Sequence, residues 1–388
     1  MKLVVHIIIH LLFSCCIFHA KASHWRFHHF SVNDGLSQGN VTAMASDYLG
    51  VMWIGTWDGL NVYDGFNNTI YTEQTKSKHS FKGSLVNSIH ESSEQVMYVA
   101  TSSCLNEYQR HSNSFKSYSV LPQAQDYRVV AEEHDELIIS IDLILWTFHK
   151  KSKSFKKCKN EYSNHWDSFF KLSKSAVNHS QYLFANLYSF MTKDAKRFIS
   201  LTPFFEQHVL NDILVYNQTI YLATDEGLYV VDEQATPKLI SDSIKIKCLA
   251  RHENKLLVGS QTKGLLVYNV ATNLVSIRCA YDERNRNSLS GDFVRTIFID
   301  RKENLWISCL GNGINYTSLR PQAVRTILGG LDSLLLQSKD RYIKNICEDG
   351  NGLLWVVSLS GNIYVFDSNY KIVKRIQPKD IDAQRKPN

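Results

Sequence analysis

Six side chains fall in turns where they could act together on a ligand: Trp57, Asp58, Asp225, Glu226, Lys263 and Asn312. An indole stacks on the apolar face of a ring, while carboxylates, an amide and an ammonium fix hydroxyl or peptide groups. That mixture suits a sugar or a peptide, so the expected partner is a small molecule, with an oligosaccharide the leading case. Chemistry on the ligand is harder to read. Asp58, Asp225 and Glu226 would form a carboxylate pair only if separate repeats brought them together. The chain has no Gly-x-Ser-x-Gly elbow, no phosphate-binding glycine loop and no His-Glu-x-x-His. Six cysteines follow residue 22 (Cys104, Cys158, Cys248, Cys279, Cys309 and Cys347), with no Cys-x-x-Cys pair and no histidines at zinc spacing. They read as small buried thiols. No catalytic residue, metal or cofactor is therefore expected. His24, His28 and His29 read as a polar tail.

The turns that carry these residues join short apolar runs. The clearest case is Asp47-Tyr48-Leu49-Gly50-Val51-Met52-Trp53-Ile54-Gly55-Thr56-Trp57-Asp58-Gly59-Leu60-Asn61-Val62-Tyr63-Asp64. An Asp-Gly pair between two apolar runs is a hairpin signal. The pattern returns, with the position of Trp53 taken in turn by Tyr98, Ile138, Leu183, Tyr221, Leu257, Trp306 and Trp355, at steps of 36 to 49 residues. Those are propeller-blade lengths. Alternating segments such as Asn40–Ala45 precede each hairpin, and short ones such as Thr69-Ile70-Tyr71-Thr72 follow it, giving four antiparallel strands per repeat. One such sheet is apolar on both faces, so stacking in a closed ring is the expected solution.

Composition agrees. The 388 residues are 44% hydrophobic and 12% aromatic with only 6 prolines, and no long amphipathic helix is visible. The net charge of +6 is spread over the chain apart from small lysine clusters such as 150–153, so nucleic acid is not expected as a partner. Residues 1–22 have a positive start, a largely apolar stretch and Ala20-Lys21-Ala22 before Ser23, the pattern of a secretory signal peptide. A periplasmic or secreted location follows.

Asp47, Gly50, Trp53, Ile54, Gly55, Thr56, Gly59, Leu60, Tyr63 and Asp64, with Asp349, Gly352, Trp355, Gly361 and Asp367 in the last copy, resemble the two-component regulator propeller repeat. The opening Phe30-Ser31-Val32-Asn33-Asp34-Gly35-Leu36-Ser37-Gln38-Gly39-Asn40-Val41 is similar to the start of the first propeller in such proteins. The resemblance implies an all-β chain of four-stranded antiparallel blades: a seven-bladed propeller over 23–320, then an eighth repeat and polar tail over 321–388 that begin a second propeller. A closed eight-bladed ring is the alternative. It further implies a ligand-sensing module of a two-component-type signalling protein, here a truncated product or fragment that lacks its own output domain and acts through a downstream signalling partner. A carbohydrate-active propeller enzyme, a lyase or glycosidase, is the competing expectation. In either case the turn between second and third strands shares one end of the ring with the links between blades, and that end carries the six residues above.

Overall fold

The computed structural model describes residues 21–22, 25–73, 80–120, 123–124, 126–142, 144–158, 183–185, 189–192, 198–200, 204, 207–216, 219–231, 236–242, 244–272, 274–320, 342–368 and 371–377. The chain divides into two compact units, residues 1–320 and 321–388. Residues 1–20, most of the expected signal peptide, and the polar tail beyond 377 lie outside the described residues. Lys21–Ala22 lies parallel to Leu274–Cys279.

In the first unit every repeat found in the sequence becomes an antiparallel sheet, seven in all among the described residues. Their first strands are Val41–Ser46 in blade 1, Val86–Glu91 in blade 2, Tyr127–Glu133 in blade 3, Leu210–Tyr216 in blade 5, Ile246–His252 in blade 6 and Val294–Ile299 in blade 7. Blade 4 is described as the three strands Leu183–Ala185, Ser189–Thr192 and Phe198–Ser200. First strands of neighbouring blades pack on one another, from blade 1 to 2 to 3, and from 5 to 6 to 7 to 1, so these strands surround the axis.

The sheets are held by what lies between them. Ala45, Trp53 and Leu60 of blade 1 meet Val86, Met97 and Val99 of blade 2. Comparable buried clusters fill the next seam, that between blades 5 and 6, and that between 6 and 7. The residues at the Trp53 position are thus mortar between blades. Near the axis the sheets come closest, and the residue two beyond that position must be small. A Cβ on Gly55 would overlap the side chain of Val86, and one on Gly259 that of Val294.

Blade 7 takes its outermost strand from the start of the chain. His28–Phe30 pairs with Ile314–Tyr316. His28 and His29 are therefore built into the sheet and are not a tail, while His24 lies outside the described residues. Phe30 also stacks on Tyr63, with ring centroids 4.8 Å apart, in a cluster that joins Val41, Met52 and Ile54 to Trp306 and Ile314. The seam from blade 7 to blade 1 repeats the bond seen elsewhere. The Gly313 amide donates to the Gly39 carbonyl at 3.0 Å, just as Gly59 donates to Ser84 at 2.7 Å and Gly264 to Asp292 at 3.0 Å. The seventh sheet packs directly on the first.

The second unit holds one described sheet, Ile343–Glu348, Leu354–Ser358, Ile363–Phe366 and Ile372–Ile376. Its core is small, Val356, Tyr364 and Phe366 with Leu354 against them.

The Asp and Trp of the repeat motif are one device. Asp47 Oδ1 accepts the amides of Leu49 and Val51, both at 3.0 Å, and Oδ2 faces Trp53 Nε1 at 3.4 Å. Asp300 and Asp349 hold their own turns and the Nε1 of Trp306 and Trp355 in the same way. The carboxylate satisfies turn amides that strands cannot reach and orients the indole for the seam.

Overpacking at a seam should cost about 1–3 kcal/mol. Gly55→Val is therefore expected to lower the midpoint of urea unfolding by a corresponding amount. Phe30→Ala removes a buried aromatic from the closing seam and should cost about 3 kcal/mol or more. An unchanged midpoint would show that the first strand does not hold the ring.

Candidate functional site

In seven of the repeats the residue after the second strand donates its amide to the carbonyl that precedes or begins the first strand. The pairs are Trp57–Asn40, Ser102–Leu85, Asp142–Asp126, Asp225–Val209, Gln261–Lys245, Leu310–Phe293 and Leu359–Tyr342, at 2.6–3.3 Å. Each turn is thereby tied to the connector that enters its own blade, which puts the turns of the first unit on the connector end of the ring. A threonine or serine caps the turns of blades 1, 2, 5 and 6: Thr56, Thr101, Thr224 and Ser260 donate to the carbonyls of Gly59, Cys104, Gly227 and Gly264. Their oxygens also receive turn amides, including those of Asp58, Glu226 and Lys263.

The six residues singled out in the sequence all sit in these turns, but the structure does not join them into one cluster. Trp57 is 48% exposed, with the Arg295 guanidinium 5.6 Å from its ring centroid. Asp58 is exposed beside it, and among the described residues it makes no ion pair. Asp225 receives Lys247 Nζ at 2.6 Å and Asn211 Nδ2 at 2.8 Å, with Lys245 Nζ 3.7 Å away. Glu226 takes His208 Nδ1 at 2.8 Å. Lys263 is exposed. Asn312 Nδ2 donates to the Ser290 carbonyl at 3.0 Å, which commits its amide to the turn. Asp58 in blade 1 and Asp225 in blade 5 contribute to separate places and form no carboxylate pair.

What the sequence reading missed lies one layer in. Five of the first strands in the first unit gain an extra residue against the second strand at the same point, one residue from their start. The added residues are Thr42, Asn87, Asn211, Lys247 and Arg295. In blade 3 the shift falls between Val129 and Ala131, with Arg128 second in its strand. A bulge adds one residue that the ladder does not use and re-aims its side chain. Here Thr42, Asn87, Asn211 and Arg295 reach toward the next blade, while Lys247 turns back to Asp225 of blade 5. Thr42 donates to the Val86 carbonyl at 2.5 Å, Asn211 to that of Ile246 at 2.8 Å, Asn87 to Asp126 Oδ1 at 2.9 Å, and Arg295 leans over Trp57 of blade 1. Arg128 Nε lies 2.9 and 3.0 Å from the two oxygens of Asp126. Read as plain alternation, Val294-Arg295-Thr296 or Ile246-Lys247-Cys248 hides the shift. Aligning the repeats on the first valine or isoleucine of each strand is the signal that finds it.

Burial works against ionising Asp225, but the bonds from Lys247 and Asn211 and the charge of Lys245 outweigh it and hold the carboxyl below its usual range. Burial lowers the pKa of Arg295, and the charge of Arg128 lowers it further. The opposite end of the ring is different, since its buried carboxylates are matched. Glu91 takes Arg301 at 2.6 Å, Asp47 takes Arg110 at 3.0 Å, and Glu132 takes His90 at 3.0 Å and Lys150 at 2.6 Å. The connector end thus offers an exposed indole and a ring of amide, hydroxyl and cationic groups. That set binds and orients a polar ligand with a flat apolar face. Among the described residues no three His, Cys, Asp or Glu groups are placed to hold a metal.

Residues 35–58 match the two component regulator propeller family, so the chain carries a repeat of that family. A stretch of 72 residues is 39% identical to Histidine kinase P4 of Formosa agariphila, over 18% of this chain and 5% of that one. Among solved structures, the extracellular domain assigned to a hybrid two component system of B. thetaiotaomicron superposes with a TM-score of 0.63 at 22% identity, covering 91% of this chain and 49% of that one. A streptogramin B lyase superposes with a TM-score of 0.55 at 10% identity, covering 76% of this chain and 99% of the lyase. At these identities the structures establish the propeller fold. The chain spans about half the length of the extracellular domain. No helix among the described residues is long and apolar enough to cross a membrane.

The folded pKa of Asp225 lies below its ordinary value of 3.8, so its stabilising contribution is complete above that value and is lost as the pH falls through the folded pKa. Asp225→Asn should cost less than about 1 kcal/mol at neutral pH, because solvent screens the pair. The gap between variant and parent, followed by urea unfolding, should close as the pH is taken below about 4.

Proposed function

We propose that this chain is the ligand-sensing propeller of a two-component-type signalling protein, working outside the cytoplasm, and that it takes a small oligosaccharide at the connector end of its ring. The observation that carries the reading is the set of polar side chains at one equivalent position of the axial strands, beside the exposed indole of Trp57. A rigid ring that varies its turns and bulges while keeping its seams is suited to recognition. The family repeat at residues 35–58 and the likeness to extracellular domains of two component systems support the signalling role. On this reading residues 23–320 form the complete propeller, 321–388 begin a second one, and a bound ligand is relayed to a downstream signalling partner.

Trp57 supplies the stacking face and the bulged side chains supply direction. A ligand that binds the folded ring raises its melting temperature by mass action. A thermal-shift screen of neutral and acidic oligosaccharides, followed by calorimetry, should return at least one binder, and Trp57→Ala should weaken it about tenfold or more, the range for loss of an aromatic anchor. Binding untouched by Trp57→Ala would move the site away from this end. Release of new reducing ends or unsaturated sugars during the incubation would replace sensing by catalysis.

A further inference from the structure

We infer that the ligand at the connector end is anionic and that the guanidinium of Arg295 holds its carboxylate or sulfate oxygens beside the Trp57 ring. The inference rests on the reading of that end as the binding site and goes further by naming the chemistry it selects. Arg295 is the bulged residue of the axial strand of blade 7 and is only partly exposed. The neighbouring cations are answered by acids of the protein. Asp126 takes Arg128 through both oxygens and also receives Asn87, while Asp225 takes Lys247. No described carboxylate pairs with Arg295. Its neighbour is the indole face of Trp57, 5.6 Å away, whose attraction for a cation is weaker than that of an ion pair.

Holding a guanidinium part-way out of water without a counter-charge is unfavourable. Burial and the nearby charge of Arg128 both work against it. At the opposite end the chain pairs its buried carboxylates with cations of its own. The guanidinium fork fits the two oxygens of a carboxylate or sulfate, and a ring bearing that group would lie against the indole. The bulge that places Arg295 is shared with Thr42 and Asn87, which use the same geometry for bonds to the next blade. Among the described residues Arg295 makes no such bond, which leaves its donors for a ligand.

The test is calorimetry of the full chain with sodium glucuronate, glucose 6-sulfate and glucose, repeated on Arg295→Gln and Arg295→Lys. Wild type is expected to bind at least one of the two anions, and which one separates a carboxylate from a sulfate ligand. Arg295→Gln should weaken that binding about tenfold or more, as expected for a charge-assisted bond, and Arg295→Lys should weaken it less. Melting temperatures of the free proteins give a second readout. Arg295→Gln should match or exceed wild type, because it removes an uncompensated cation; a clear fall would mark Arg295 as a structural residue and overturn the inference. So would anion binding that ignores the substitution, or no binding of either anion. A neutral oligosaccharide that needs Trp57 but not Arg295 would remove the inference and leave the connector end as the site. Absence of binding by neutral and anionic sugars alike would remove both.

Discussion

The structure depends on a problem of coverage. Each repeat makes one sheet, and both faces of that sheet are apolar, so every sheet needs a neighbour on either side. Trp53, Tyr98, Tyr221, Leu257 and Trp306 fill the gaps, and Gly55 and Gly259 let the sheets converge where the gap narrows to the axis. A linear stack would leave two faces wet. The seam between blades 7 and 1 removes them by using the same glycine-to-connector bond found in the seams after blades 1 and 6.

Closure also decides what the ring can offer a ligand. Seams and turns are occupied by their own bonds: Asp47, Asp300, Thr56 and Thr224 are all spent on backbone amides and carbonyls. Freedom remains at the connector end, where bulges present side chains that the ladders do not need. Two acids there, Asp126 and Asp225, have cations, while Asp58 beside Trp57 and Arg295 over its ring have no described ion-pair partner. Stability and the proposed recognition therefore fall on different positions of the same repeat. A change of ligand would leave the Trp53 layer untouched.

Much of this was legible in the residues. The spacing of the Trp53 position gives the repeat, and each equivalent residue among the described strands occupies the same register against its second and third strand partners. The Asp-x-x-Gly-x-x-Trp spacing is legible because its bonds are local. The turn residues Trp57, Asp58, Asp225, Glu226, Lys263 and Asn312 were found because glycine marks their turns. Arg295, Arg128 and Lys247 were not, because a bulge breaks the two-residue rhythm from which a strand's facing is read. The pairing of His28–Phe30 with blade 7 was hidden for another reason: its partner lies almost the whole ring away, and no local pattern announces it.

That long-range pairing sets the order of events when the chain folds. The four antiparallel strands of blades 1, 2, 3, 5 and 6 each come from contiguous sequence, but the last sheet is incomplete until residues 28–30 meet residues 314–316. The contact order of that step is the highest in the ring, and loop-closure entropy must be met before any buried seam rewards it. Until then an open arc exposes the Val41 and Met52 face of blade 1 and the Trp306 and Ile314 face of blade 7. A nascent chain thus passes through a state with two sticky ends, and its yield should be set by how quickly those ends find each other rather than find another molecule.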